Sequence, residues 1–342
     1  MSSITVRPES VPGERIRRLP LVTLYLTERC NSRCISCDHW RTGRADVSEA
    51  VVERLLPGLS RLQTRVALIS GGEPLLHPRW RAIASVFRAA GIKTWLLTSG
   101  LALAKHAAGV AEVFDAVTVS LDGTNAATYR GIRGLDAFDK VCEGIERIAA
   151  MGCRTGIRVT LQRSNFRELD GFVSLAHRLR CGSVSFLAAD SVNQHAFGRA
   201  GEFRTDTALR ETDLPVFARL IDELEISRAA DFSSGFILES PAKLRRLRQY
   251  FAAVCGLQAY PPVRCNAPEL SAVIAARGDV HPCFFIPGNG AELSAGSLED
   301  LLNEEPMIRL RRDIRLGLRT ECVSCVCSLY REPARIEETI LP

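Results

Sequence analysis

From Leu21 onward two kinds of pattern alternate along the chain. Short runs rich in β-branched and apolar residues recur: LVTLYLT (21–27), RVALIS (65–70), KTWLLTS (93–99), AVTVSLD (116–122), GIRVTLQ (156–162) and SVSFLAA (183–189). Between them lie stretches such as VSEAVVERLLPGL, PRWRAIASVFRAAG and LDAFDKVCEGIERIAAMG, whose apolar residues fall three and four positions apart. The first pattern belongs to strands and the second to helices. Strands each separated by a helix predict a parallel α/β sheet. Right-handed crossovers bend six such units into an open, partial (β/α)6 barrel of the TIM type, with functional residues at the C-terminal ends of the strands. A doubly wound open sheet is the rival topology, which periodicity leaves open.

After Asp190 the pattern changes. A polar stretch, SVNQHAFGRAGEFRTDTALRE, gives way to helical segments around LPVFARLIDELEIS and PAKLRRLRQYFAAV, then to a strand pair, SAVIAAR and VHPCFFI, around Gly278-Asp279. The helical segment SLEDLLNEEPMIRLRRDI and a cysteine-containing tail follow. We expect a barrel over 1–200, a helical linker over 201–260 and a smaller C-terminal domain over 261–342, an organisation that suits 342 residues.

Composition narrows the class. A hydrophobic fraction of 46% and a charged fraction of 24% are those of a globular protein able to bury a sizeable core. The net charge of +5, from 44 basic and 39 acidic residues, is scattered through short runs such as KLRRLRQYF. There Leu244, Leu247 and Phe251 keep helical spacing, so the basic residues form the wet face of a helix and nucleic acid is not an expected partner. No run reaches the roughly 18 apolar residues of a membrane span, and MSSITVRPES lacks the pattern of a signal peptide, so a cytoplasmic protein without a membrane partner is expected. Twelve cysteines in a reducing compartment are read as metal ligands or catalysts before disulfides.

Three of them, Cys30, Cys34 and Cys37, follow C-x-x-x-C-x-x-C on the loop after the first strand. Structural zinc takes four ligands, and only His39 is near enough in sequence to be the fourth. A cubane iron–sulfur cluster also usually takes four cysteines, so three leave one iron open. Further along, Gly71-Gly72-Glu73-Pro74 follows the second strand; Thr98, Ser99 and Gly100 end the third; Ser120 and Asp122 end the fourth.

This set of motifs resembles the radical S-adenosylmethionine (SAM) superfamily, with Ser36 where many members have an aromatic residue. The resemblance implies a [4Fe–4S] cluster on Cys30, Cys34 and Cys37 whose open iron chelates SAM, and an external electron donor such as flavodoxin or ferredoxin. It implies SAM contacts from Gly71, Gly72 and Glu73 to the ammonium, from Ser120 or Asp122 to the ribose, and from Arg133 to the carboxylate, for which a guanidinium fork is suited. Cys265, twelve residues, Gly278, four residues and Cys283, with Cys322 and Cys325 far downstream, resemble the twitch domain, a shortened SPASM extension. In that domain four cysteines hold one auxiliary iron–sulfur cluster, probable type [4Fe–4S]; zinc is the competing metal. Cys327 is either an alternative ligand to Cys325 or a free thiol.

For the reaction, the resemblance leaves dehydrogenation, epimerisation and decarboxylation open. Asp190 is a candidate base by its position at a strand end, and Cys327 or Cys255 a candidate hydrogen donor. Cys142, Cys153 and Cys181 sit in or beside apolar segments and read as small buried hydrophobes. Only about twenty residues precede Leu21, too few for the leader-recognition domain of many peptide-modifying relatives. A small polar metabolite such as an amino sugar, cyclitol or nucleoside is therefore the expected substrate, with Asn193, Gln194 and His195 as possible contacts. Ribosomal-peptide modification is the alternative, and a non-enzymatic zinc or iron–sulfur protein that binds RNA is the alternative of another class.

Overall fold

The computed structural model describes residues 15–199, 205–288, 290–327 and 329–331. Six parallel strands form its wall: β1 (Leu21–Thr27), β2 (Val66–Gly71), β3 (Lys93–Thr98), β4 (Ala116–Ser120), β5 (Arg154–Leu161) and β6 (Ser183–Ala188). They lie in the order β6-β5-β4-β3-β2-β1, each beside its sequence neighbour. This monotonic order has no reversal point, so the doubly wound alternative is excluded and the wall is that of a partial barrel. Helices Glu49–Arg61, Trp80–Ala89, Leu103–Val113, Phe138–Ala150 and Leu169–Arg178 make the crossovers.

Alternation sorts the side chains of each strand. On β5, Ile157, Val159 and Leu161 are buried in the apolar layer under the helices, while Gly156, Arg158 and Thr160 take the other face, toward the barrel interior. Cys181 belongs to the same core, and Cys142 and Cys153 pack against it.

Both edges of the wall are covered. Beside β6, Val184 N–H donates to Phe236 O (2.8 Å) and Leu238 N–H to Val184 O (3.0 Å), so the segment Phe236–Glu239 extends the sheet by a short parallel stretch. On the other edge the predicted C-terminal hairpin appears as β7 (Ser271–Ile274) and β8 (Val280–His281), antiparallel to each other. Its turn needs Gly278 at φ +97°. Unexpectedly, β7 pairs in parallel with β1, from Leu21 opposite Ser271 to Leu24 opposite Ile274. The hairpin is thus an extension of the barrel sheet. Between the two parts lie helices Leu214–Ser227 and Pro241–Val254, in the stretch expected to be a helical linker. No helix among the described residues is long and apolar enough to cross a membrane.

Candidate active site

The loop after β1 carries the cysteine triplet and is fastened on three sides. Arg33 and Ile35 N–H groups donate to the carbonyls of Arg133 and Ile132 at the end of helix Ala126–Arg133, each at 3.0 Å. Asp38 N–H donates to Phe197 O (2.8 Å) in the segment after β6. Glu73 N–H donates to Arg29 O (2.8 Å) and Gly72 N–H to Thr27 O (2.7 Å). Gly72 is required by contact: a Cβ there would stand 2.3 Å from Arg29 O and 2.5 Å from Glu28 O. Gly71 adopts φ +121° beside the same backbone.

Within this frame Cys30, Cys34 and Cys37 are all half-buried free thiols. Burial, aided by Glu73, Cys34 and Cys37, pushes Cys30 up to about 12. Burial, aided by Cys34, pushes Cys37 up to about 11. Thiolates crowded in this way repel one another, and strong cationic ligation is what reverses that tendency. The donor set therefore fits an iron–sulfur cluster.

Glu73 is fully buried. Its Oε1 accepts from Thr98 Oγ1 (2.7 Å) and Leu75 N–H (3.2 Å), and its Oε2 from Ser99 N–H (2.7 Å) and Ser99 Oγ (2.5 Å). The end of β3 thus holds the carboxylate of the Gly-Gly-Glu-Pro turn by three bonds, and Leu75 just after the turn adds the fourth. Arg133 lies with Nε 2.8 Å from Asp122 Oδ2 and Nη1 3.4 Å from Cys34 Sγ. Burial opposes its charge, but Asp122 and Cys34 hold the guanidinium above its ordinary value. Asp122 also accepts from Thr160 N–H (2.7 Å), whereas Ser120 remains half-exposed at the end of β4.

The other candidates separate. Asp190 is buried at the end of β6, where it accepts from the N–H groups of Val192 (3.0 Å) and Asn193 (2.8 Å) and lies 3.6 Å from Arg199. These contacts make it a turn-former, and Arg199 carries the link onward to Ser36 O (3.1 Å) in the cysteine loop. Asn193 donates to Phe285 O (3.0 Å), joining the loop after β6 to the C-terminal part; Gln194 is half-buried and His195 exposed. Cys255, at the end of helix Pro241–Val254, donates to Leu209 O (3.2 Å) and has Glu211 and Asp213 as charged neighbours, outside both thiol groups.

The second set of thiols shares electrostatic neighbours. Cys283, Cys322 and Cys327 each feel the charges of Cys265 and Cys325. Burial above all, aided by Cys325 and Cys265, pushes Cys283, Cys322 and Cys327 up to about 12. Cys327 is the most enclosed of the group and also faces Lys243 and Arg158. The five thiols fit an iron–sulfur cluster on the same chemical ground as the triplet.

Sequence reasoning missed the residues between the two groups. Tyr25 on β1 is held above its ordinary value by burial and then by Cys37 and Cys283, one thiol from each set. Its ring stands 6.1 Å from His39 and 6.3 Å from Phe284. The alternation of LVTLYLT places Thr23 and Tyr25 on one face, a signal that could have pointed to it. Arg158, Arg199, Glu239 and Lys243 carried no motif.

A partial barrel with a cysteine triplet after β1, a Gly-Gly-Glu-Pro turn after β2 and a second thiol group on a C-terminal extension defines a radical SAM enzyme. The model of the radical SAM superfamily matches residues 24–176, and that of SPASM, an iron–sulfur cluster-binding domain, matches residues 265–326. The chain belongs to this superfamily and carries a SPASM domain. Its cofactors are accordingly a [4Fe–4S] cluster with SAM, and further iron–sulfur at the C-terminal group.

Among curated relatives, an AdoMet-dependent heme synthase from Methanosarcina barkeri is 29% identical over 323 residues, 89% of this chain and 88% of that protein. A mycofactocin maturase, MftC, from Mycobacterium tuberculosis is 30% identical over 163 residues, 46% of this chain and 41% of that protein. The latter match spans about two fifths of the relative's length. Streptococcus suis SuiB bound to S-adenosylmethionine superposes with a TM-score of 0.66 at 15% identity, over 92% of this chain and 73% of that one. At that identity the likeness is one of fold.

Proposed function

We propose that this chain is a radical SAM enzyme that modifies an apolar or aromatic residue of a peptide. The observation that carries this reading is the chemistry of the surface between the two thiol groups. Ile35, Phe197 and Phe284 are 38%, 40% and 40% exposed there. Phe197 lies 6.0 Å from Phe285, and Phe284 lies 6.3 Å from Tyr25, so each exposed ring has an aromatic neighbour. A small polar metabolite would leave these rings wet, whereas an apolar side chain buries them. The maturase relative and the fold shared with SuiB, which has been solved with its precursor peptide, support the peptide reading.

When bound, the cluster and SAM at the first group supply a reducing electron and a hydrogen-abstracting carbon radical. The protein's own part is to aim and enclose. Cys30, Cys34 and Cys37 would hold the cluster, with Cys265, Cys283, Cys322 and Cys325 the corresponding set in the C-terminal domain. Arg133 would offer its fork to the SAM carboxylate, Ser120 its hydroxyl to the ribose, and the backbone of Gly71 and Gly72 a close approach. Phe197, Phe284 and Phe285 would exclude water above the reacting carbon. Oxidation of that carbon is the outcome we favour, because the second thiol group borders the same interior through Tyr25 and Arg158.

A second reading, a tetrapyrrole substrate, is favoured by the match to the heme synthase across 89% of the chain. The two separate in one assay. Anaerobically reconstituted protein is given SAM and dithionite with short aromatic peptides, or with Fe-coproporphyrin III. The peptide reading expects 5'-deoxyadenosine together with a mass change in a peptide. Turnover of the iron porphyrin alone would establish the second reading, and turnover of an amino sugar or nucleoside alone would overturn both.

A further inference from the structure

Arg158 has no role in the site as described, and its surroundings are unusual. It sits on the interior face of β5, level with Ser120 on β4 and Ser185 on β6. The residue is half-buried, and its Nε is buried with no hydrogen-bond partner. Glu239, the carboxylate whose charge reaches it, already accepts from Ser185 Oγ (3.0 Å) and Phe186 N–H (2.6 Å). Lys243 adds a second positive charge nearby, its ammonium donating to Cys327 O (2.6 Å). Burial lowers Arg158 below its ordinary value, and Glu239 and Cys327 offset only part of that.

A buried donor without a partner is costly, so the Nε of Arg158 is unsatisfied until an acceptor arrives. A carboxylate is the anion that a planar fork holds by two parallel bonds. The SAM carboxylate has another arginine to turn to, because Arg133 is the one at the cysteine loop. Arg158 lies one strand further round, between Ser120 and the C-terminal thiols. We propose that Arg158 is the anchor for a carboxylate of the substrate, set inside the barrel beneath the apolar surface. The substrate is then an apolar acid: a peptide with a terminal or side-chain carboxylate, or a tetrapyrrole with carboxylate arms. This rests on the apolar-substrate reading above and narrows it.

The test uses matched probes on the reconstituted, SAM-loaded protein. Short aromatic peptides ending in a free acid are compared with the same peptides as amides, and Fe-coproporphyrin III with its tetramethyl ester. One acid should bind about tenfold or more tightly than its neutral counterpart, as expected for a charge-assisted pair. Which pair shows the difference identifies the source of the carboxylate. R158Q should erase the preference and R158K should keep part of it. R158M should unfold at the same or a higher temperature, since it removes a buried donor that has no partner. Equal binding of acid and neutral probes, or a preference that survives in R158Q, overturns the inference while leaving the apolar-substrate reading in place. A loss of SAM binding in R158Q assigns the residue to SAM and also overturns it. If none of the probes binds, the apolar-substrate reading fails and the inference falls with it.

Discussion

The substitution Glu73→Gln probes how the Gly-Gly-Glu-Pro turn is built. In the protein each carboxylate oxygen accepts two hydrogen bonds, from Leu75 N–H and Thr98 Oγ1 on one side and from Ser99 N–H and Oγ on the other. An amide replaces one acceptor by a donor. A hydroxyl can turn and accept, but a backbone N–H cannot, so either orientation of Gln leaves one buried N–H facing an NH2 group. The less costly choice sacrifices the 3.2 Å bond from Leu75. One unsatisfied buried donor costs about 1–3 kcal/mol, and the remaining bonds lose their charge assistance, for a total of about 2–4 kcal/mol. Unfolding entropy of about 2.1 cal/mol/K per residue gives about 0.7 kcal/mol per degree for 342 residues. The expected fall in Tm is therefore about 3–6 °C, measured by thermal unfolding of the reduced, cluster-free full chain. In an S99A background the same change should cost less, because the partners are coupled. An E73Q protein that melts within a degree of wild type refutes the reasoning, and would mean that the carboxylate is free to serve a ligand alone.

Other outcomes follow from the same geometry. In G72A the new Cβ meets backbone oxygens at 2.3 and 2.5 Å, which cannot yield as a side chain would, so we expect about 1–3 kcal/mol of destabilisation and loss of iron from the first group on reconstitution. Iron analysis should fall by about half in C283S, from about eight to about four per chain for two cubanes, while C327S keeps the full complement if Cys325 is the ligand. Burial raises Asp46, but its bonds to Arg29 and Thr27 outweigh this and hold it below its ordinary value. Its contribution to stability is then complete above the usual carboxylate range and disappears as pH falls through the lower folded value. Wild type should lose stability relative to D46N below about pH 4, with a gap that closes as acid protonates Asp46; a gap independent of pH contradicts the ion pair.

The barrel and the first thiol group were legible because both are written locally. Each strand and each crossover helix declares itself within a dozen residues, and the triplet sits within eight positions on one loop. The second group was read from a resemblance to the twitch domain, although its cysteines lie far apart along the chain. What remained hidden depends on long-range placement. Asp190 read as a base because it ends a strand, whereas the structure engages it with the N–H groups of Val192 and Asn193 and with Arg199. Arg158 read as one more polar position in GIRVTLQ, since neither the lack of a partner at its Nε nor the commitment of Glu239 to β6 can be seen along the chain. The exposed apolar residues that redirect the substrate expectation, Ile35, Phe197 and Phe284, lie far apart in sequence.

The pairing of β7 with β1 has a mechanical meaning. The strand that leads into the first cysteine loop is also the strand on which the C-terminal hairpin is zipped, over four facing residue pairs from Leu21 to Leu24. β1 therefore works as a common ruler: the distance between the two thiol groups is set by sheet geometry, and a hinge between the domains would have to unzip the barrel wall. A barrel produced without the hairpin would expose the raw edge of β1, with its unpaired backbone groups inviting other chains to add to it. Removing the C-terminal part should thus yield aggregates in place of a smaller enzyme.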